Sequence, residues 1–319
     1  MSDGGPIGGT SSESGGLPAG RAVPELVTRS ESEAIKGRDR FSVRFRHVLR
    51  RDRLGQSAVA FLIFVVLMAA LGPVLLGDAA TQAHLDRRFV PPFQLEHGGS
   101  YILGSDALGR SFLARLLVAA RTTLLIAVAA VVASALVGAV IGTVVGYVGG
   151  RLDQVAMRTA DVMLAFPSLL LALIVLYTVG PGLAALIFVL AVARLALYTR
   201  VARAETLAVR ERLFVTAARA LGAGPFRIVR TQIAPVIAPS LVALATLEFA
   251  LVILSESALS FLGLGVQQPD VTWGGLIAEG RNYLRDAWWV ALLPGLAITL
   301  TAICVNVLAD VIRRASQSD

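Results

Sequence analysis

Cysteine, lysine and histidine are nearly missing from this chain of 319 residues, and each shortage closes off a class of function. Cys304 is the sole cysteine, so neither an internal disulfide nor a cluster of zinc thiolates is available. Lys36 is the sole lysine, and Gly37 follows it. A P-loop needs lysine followed by Ser or Thr to hold nucleotide phosphates, so no such site is carried here and any ATP work must come from a partner. His47, His84 and His97 show no ligand spacing and read as solvated loop residues, so no metal is expected; the sequence singles out no cofactor site and no catalytic residue. Charge is scarce as well. Only 16% of residues are charged against 55% hydrophobic, with mean hydropathy +0.72. Soluble domains sit near about 45–50% apolar even with glycine counted, so this composition is that of a membrane protein. The net charge of +7 has the sign for nucleic acid. Its arginines crowd beside apolar stretches rather than along one soluble surface, which argues against that partner and for a lipid bilayer.

What is present is a succession of long uncharged runs. Residues 1–36, rich in Gly, Ser and Pro, are expected to form a disordered cytoplasmic tail, with no apolar core of signal-peptide length near Met1. Residues 37–56 are basic, with Phe41, Phe45, Val48 and Leu49 interleaved at near-helical spacing, as in a segment lying on an anionic leaflet. Residues 57–77 carry no charge and are long enough for about 30 Å of hydrocarbon. A mixed segment over 78–112 follows, and then a core over 113–314 with five further spans, at 122–150, 162–179, 183–201, 235–255 and 287–309. Residues 315–319 form a short tail. The expected fold is therefore all-α, a polytopic membrane protein of six transmembrane helices. Arg151, Asp153 and Arg158 read as a turn-around, Gly180-Pro181-Gly182 as a break between spans, and Pro167 as a kink. Gly138, Gly142, Gly146 and Gly150 recur every four residues, a stripe that lets another helix approach closely. Trp273, Trp288 and Trp289 read as anchors at the membrane interface.

Arginine is concentrated in the N-terminal arm, the 151–158 turn, the 203–234 loop and the C-terminal tail, which six spans place on one side. The positive-inside rule makes that side cytoplasmic, both termini included. Within the loop, Phe214, Ala217, Ala218 and Leu221 recur at i, i+3, i+4 and i+7, one face of a short helix, with Arg212, Thr216 and Arg219 opposite. Gly222 suits the left-handed position that ends such a helix, and Gly224-Pro225 opens a second. Arg194, Glu248 and Glu256 fall in or beside apolar spans. A charge at bilayer depth costs roughly 2.5–3.5 kcal/mol on insertion scales, so each needs a partner or a watery cavity. Arg194 and Glu248 either line a pathway or pair with one another. Glu256 belongs to the pore or to the fold.

Ala217-Ala218, Gly222 and Ile233-Ala234-Pro235 together resemble the EAA loop of ATP-binding-cassette importer permeases, with Thr216 and Ala234 in place of the usual acid and leucine. The segment 103–110, LGSDALGR, is similar to the LGTDxxGRD segment of the C-type dipeptide/oligopeptide permease subunits, with Ser111 for the second aspartate. Ala120-Arg121-Thr122-Thr123-Leu124 is similar to their GARTSL. The segment 255–265, SESALSFLGLG, with Trp273-Gly274, matches their EASLSFLGLG…WG signature, and Pro294 to Ile298 their last span. The resemblance runs from about residue 40 to the end. It implies the type I, MetI-like permease fold in a bacterial cytoplasmic membrane. It also implies a homologous second permease, two ATPase subunits docked on the coupling loop, and an extracytoplasmic binding protein that delivers a di- or oligopeptide. Phe214, Ala217, Ala218, Leu221 and Gly222 would then be the coupling residues. Nickel or another small solute is the alternative cargo. An ion-driven secondary transporter is the alternative class, although no internal repeat of the kind such proteins show is visible.

Overall fold

A computed structural model of the chain describes residues 48–50, 52–94 and 99–317. The 1–36 tail and most of the basic 37–56 segment lie outside the described residues. Among the described residues every regular element is helical. The long helices are α1 (Arg53–Thr81), α2 (Phe112–Val148), α5 (Leu183–Arg210), α8 (Ala234–Phe261) and α10 (Trp289–Gln317). Between them come α3 (Gly150–Ala165), α4 (Ser168–Val179), α6 (Leu213–Ala220), α7 (Pro225–Ile228) and α9 (Trp273–Gly280). A π turn at Val229–Ile233 joins α7 to α8.

Several boundaries differ from those read in the sequence. The first span, 57–77, is the centre of a helix that starts at Arg53, inside the basic 37–56 segment, where Asp52 caps it by accepting from the Gly55 amide. The second starts at Phe112, far before Thr122, because Ser111 caps it through the Ala114 amide and a buried arginine is tolerated in its first turn. Helix α5 continues to Arg210, so 203–210 is helix and not loop, and α10 continues to Gln317, into the expected 315–319 tail. The 151–158 turn-around is a correction of another kind. Those residues are helical, and the reversal sits instead at Gly149 and Gly150, with φ of +71° and +67°.

Helix directions follow from cross-contacts. The Gly72 position of α1 abuts Leu117, and Ala79 accepts from the Ser111 amide, so α1 and α2 are antiparallel. Positions 138, 142 and 146 of α2 lie against Tyr198, Thr199 and Arg203 of α5 in ascending order, so these two helices are parallel. The chain must then cross back between them. The returning segment is the α3–α4 pair, which bends by 87°. Pro167 sits at the bend, capping α4, where a missing amide hydrogen costs nothing. At about 18 Å α4 is too short to cross alone, and with α3 at 87° to it the crossing needs both helices tilted, each supplying part of the depth. Counting that bent pair as one span gives six. One end of the bundle then gathers Asp52, Arg314, Gly149-Gly150 and the 211–233 insert. The other gathers 82–111, Gly180-Pro181-Gly182 and 262–288.

The second end is a capped surface. Asp106 accepts from the amides of Leu108 and Arg110 and from both Arg110 Nε and Arg115 Nη1, each arginine bond 2.7 Å. Arg115 also forks onto Glu279 at 2.7 and 3.0 Å, tying α2 to α9. Trp273 and Trp289 are buried, correcting their reading as belt residues. The indole of Trp273 donates to the Leu116 carbonyl and that of Trp289 to the Ser105 carbonyl, at 3.0 and 3.1 Å. Trp288 alone is exposed. Trp289→Phe keeps one aromatic ring but removes the pyrrole half of the indole, and with it a donor to a buried carbonyl. It should lower stability by about 1–3 kcal/mol, read as earlier thermal unfolding in detergent; no change would mean that the bond holds nothing.

Candidate functional site

Two places carry the residues singled out by sequence: the insert at one end and a polar cluster near mid-bundle. The insert is built on a small hydrophobic floor of its own. Val215 of α6, Ile228 of α7 and Ile233 of the π turn pack on Val209 of α5 and Ile237 of α8. Helix α6 ends in a full Schellman motif: Gly222, at φ +81°, donates to the Arg219 carbonyl and Ala223 to the Ala218 carbonyl, both at 3.0 Å. Gly224 then lets Pro225 take the first position of α7. The Arg219 guanidinium lies 5.8 Å over the Tyr147 ring, a second tie between insert and bundle.

That anchoring decides which face of α6 remains free. Val215 turns inward and is fully buried. Leu213, Phe214, Ala217 and Leu221 turn outward, with Leu213 at 89% and Leu221 at 74% exposure, and Phe226 of α7 at 77%. Ala218 is half-buried and belongs to the inner edge, while Gly222 is exposed at the tip. So Phe214, Ala217 and Leu221 share an outer stripe as their spacing predicts. Leu213 joins it and Phe226 of α7 is exposed on the same insert, and neither was singled out by sequence. Arg212, Arg219, Arg227 and Arg230 of the same insert are exposed as well. An apolar stripe with exposed cations on the same polar insert is the make-up of a protein-binding patch.

The second cluster sits near the middle of α5 and α8. Arg194 Nη2 donates to Ser255 Oγ at 3.0 Å, and Arg194 Nε lies 3.4 Å from Glu248 Oε2. The alternative of an Arg194–Glu248 pair is therefore realised, though loosely: neither of those two atoms makes a hydrogen bond. Glu256 does not share the cluster. It is wholly buried, accepts from Ser260 Oγ at 2.6 Å, and helps hold α8 where α9 packs on it. Elsewhere in the bundle, a cleft of about 350 Å³ between α1, α2, α8 and α10 is lined by side chains such as Leu62, Val65, Leu124, Phe249 and Val305. Its one polar side chain, Thr246, donates to the Val242 carbonyl of its own helix, so the lining gives a polar solute little to bond.

Charged pairs also fix the bent span. Asp153 and Asp161 of α3 pair with Arg203 and Arg200 of α5. Among the described residues no group of three or more His, Cys, Asp or Glu side chains is placed to hold a metal.

Comparison with known proteins agrees with this architecture. Residues 138–318 match the family described as binding-protein-dependent transport system inner membrane component. The chain is 39% identical over 260 residues to the di/tripeptide transport system permease protein DppC of Pseudomonas aeruginosa, covering 81% of this chain and 86% of that protein. It is 38% identical over 272 residues to the dipeptide transport system permease protein DppC of Escherichia coli, covering 85% and 91%. It is 33% identical over 266 residues to the probable D,D-dipeptide transport system permease protein DdpC of the same species, covering 83% and 88%. With several apolar helices long enough to cross a bilayer, a family domain over more than half its length and relatives matched nearly end to end, the chain belongs to the inner membrane components of binding-protein-dependent transport systems, the ABC importer permeases.

Proposed function

We propose that this chain is one of two permease subunits of a peptide importer. A homologous second permease forms the other half of the pathway, two separate ATPases dock on the inserts, and an extracytoplasmic binding protein delivers the cargo. The observation that carries this reading is the outer stripe of the insert, Leu213, Phe214, Ala217 and Leu221, and the exposed Phe226 of α7, held on a packed floor at the end of the bundle that also holds Asp52 and Arg314. The concentration of arginine at that end supports reading it as the cytoplasmic side of a bacterial cell membrane, with both chain ends on that side. The peptide cargo is supported by the names of the three relatives.

The floor also supplies the mechanics. Val215, Ile228 and Ile233 join the insert to Val209 of α5 and Ile237 of α8. A docked ATPase that shifts the insert therefore shifts α5 and α8 as rigid rods, because packed helices move as bodies rather than deform. Phe214 is the anchor expected to fill a pocket on the ATPase, Ala217 and Ala218 are small enough for close approach, and Gly222 turns the chain at the tip. No bond is made or broken in this subunit; hydrolysis belongs to the partners.

The reading is tested by assembling the chain with its second permease, ATPases and binding protein in lipid vesicles. Dipeptide uptake that requires both ATP and binding protein is the expected result. Uptake by the two permeases alone, driven by an ion gradient, would overturn it in favour of a secondary transporter. ATP-dependent uptake of Ni²⁺ without peptide would move the cargo to a metal ion.

A further inference from the structure

The loose Arg194–Glu248 contact leaves three interior polar atoms without hydrogen-bond partners among the described residues: Arg194 Nε, Glu248 Oε2 and the hydroxyl of Tyr198. They are neighbours. Tyr198 stands one helical turn beyond Arg194 on α5. Glu248 faces both from α8, with Ser255 two turns along on the same helix. Buried polar groups in a settled core find partners, so three orphans in one place mark a site rather than a lock. A pair built only to join two helices would fork guanidinium onto carboxylate, as Arg115 does onto Glu279 in this same chain. Arg194 does not.

Depth and exposure sharpen the point. Arg194 and Glu248 lie near the middle of helices of 28 residues each, so they sit near the bilayer midplane. The Arg194 side chain is 17% exposed and Ser255 half-buried, while Tyr198 and Glu248 are buried behind them, so Arg194 and Ser255 are the edge of the cluster that opens outward from this subunit. A guanidinium edge turned to hydrocarbon at that depth is strongly unfavourable. The opening therefore faces protein or water. In a pair of permeases that is the space between them.

We propose that Arg194, Tyr198, Glu248 and Ser255 form a polar station at the membrane midplane that receives the charged ends of a passing peptide. The inference rests on the peptide-permease reading above. Arg194 and Ser255, at the open edge, meet the peptide first, Arg194 donating to the carboxylate. Once Arg194 turns to the peptide, Glu248 behind it is freed to accept from the ammonium group, and the Tyr198 hydroxyl to bond the water that follows. The two protein charges neutralise each other when the station is empty and exchange partners when it is filled. The cargo thus crosses the midplane without shedding its hydration uncompensated.

The experiment uses the complete importer in vesicles and free alanyl-alanine as the probe. Glu248→Gln and Arg194→Gln are each expected to lower the peptide moved per ATP hydrolysed about ten-fold, and the exchanged pair Arg194→Glu/Glu248→Arg to leave it low. A second arm does not depend on the charge variants assembling. Ser255→Cys, made with Cys304→Ser, should react with a charged, membrane-impermeant thiol reagent in at least one nucleotide state. Full uptake by the single variants, recovery in the exchanged pair, or no thiol reaction in any state would each overturn the station and leave the peptide reading standing. A wild-type importer that moves no dipeptide would sink that reading, and this inference with it.

Discussion

Phe214→Asp is expected to abolish binding-protein-stimulated ATP hydrolysis in the assembled importer while the variant chain still inserts and pairs with its second permease. The ring is 39% exposed on the outer stripe of α6, between Leu213 and Ala217, so its exchange disturbs no packed neighbour on the floor. A buried aromatic anchor is worth roughly 2–4 kcal/mol at an interface, about 30- to 700-fold in affinity. A carboxylate forced into an apolar pocket adds a desolvation cost. Val215→Asp supplies the contrast. Val215 is fully buried among Val209, Ile228 and Ile233, so this change should loosen the insert and lower the unfolding temperature. ATPase binding measured by co-purification separates the two. Phe214→Asp should lose the ATPase with unchanged thermal unfolding, and Val215→Asp should lose both. Retention of the ATPase by Phe214→Asp would remove the docking role from this residue.

How much of this was visible in the sequence depends on whether the deciding contact is local. The stripe Phe214, Ala217 and Leu221 could be read from spacing because one short helix displays it, and Gly222 ended that helix as its chemistry demands. The inward turn of Val215 could not, since its floor is assembled from residues on α5, α7, the π turn and α8. Likewise the charges Arg151, Asp153 and Arg158 read as a turn because the partner of Asp153 was out of view. Arg200 and Arg203, some forty to fifty residues on, neutralise Asp161 and Asp153 and let α3 run as a helix along α5. Arg115 has one partner close by, Asp106 nine residues before it, but the one that ties it to α9, Glu279, lies 164 residues away and was out of view. Trp273 and Trp289 show the limit of a composition rule, for an indole near an interface serves equally as a buried donor when a carbonyl faces it.

The glycine stripe sets the second large expectation, Gly142→Val, which should prevent α2 and α5 from closing on each other. A Cβ at position 142 would stand 2.3 Å from the Thr199 carbonyl oxygen and 2.8 Å from the Ala202 Cβ, both too near and the first on backbone that no side-chain rotation relieves. Positions 138 and 146 meet Tyr198 and Arg203 in the same way, at 2.5 and 2.9 Å. Gly150, the fourth member of the repeat, leaves the stripe for the turn. Overpacking of one methyl typically costs about 1–3 kcal/mol, and the branched side chain of valine more. The consequence reaches function because α5 carries Arg194 in its middle, Arg203 against α3, and Val209 under the insert. A displaced α5 disturbs the Arg194 cluster, the bent span and the floor of the insert together. Gly142→Ala should therefore unfold several degrees below wild type and couple poorly, and Gly142→Val should fail to assemble. Gly77→Ala is the control. Its Cβ meets nothing within 4 Å, and alanine improves helix propensity by up to about 1 kcal/mol, so stability should hold or rise. A Gly142→Val complex that assembles and melts like wild type would mean that the two helices do not touch where these glycines lie, and the parallel α2–α5 pair on which the six-span count depends would have to be abandoned.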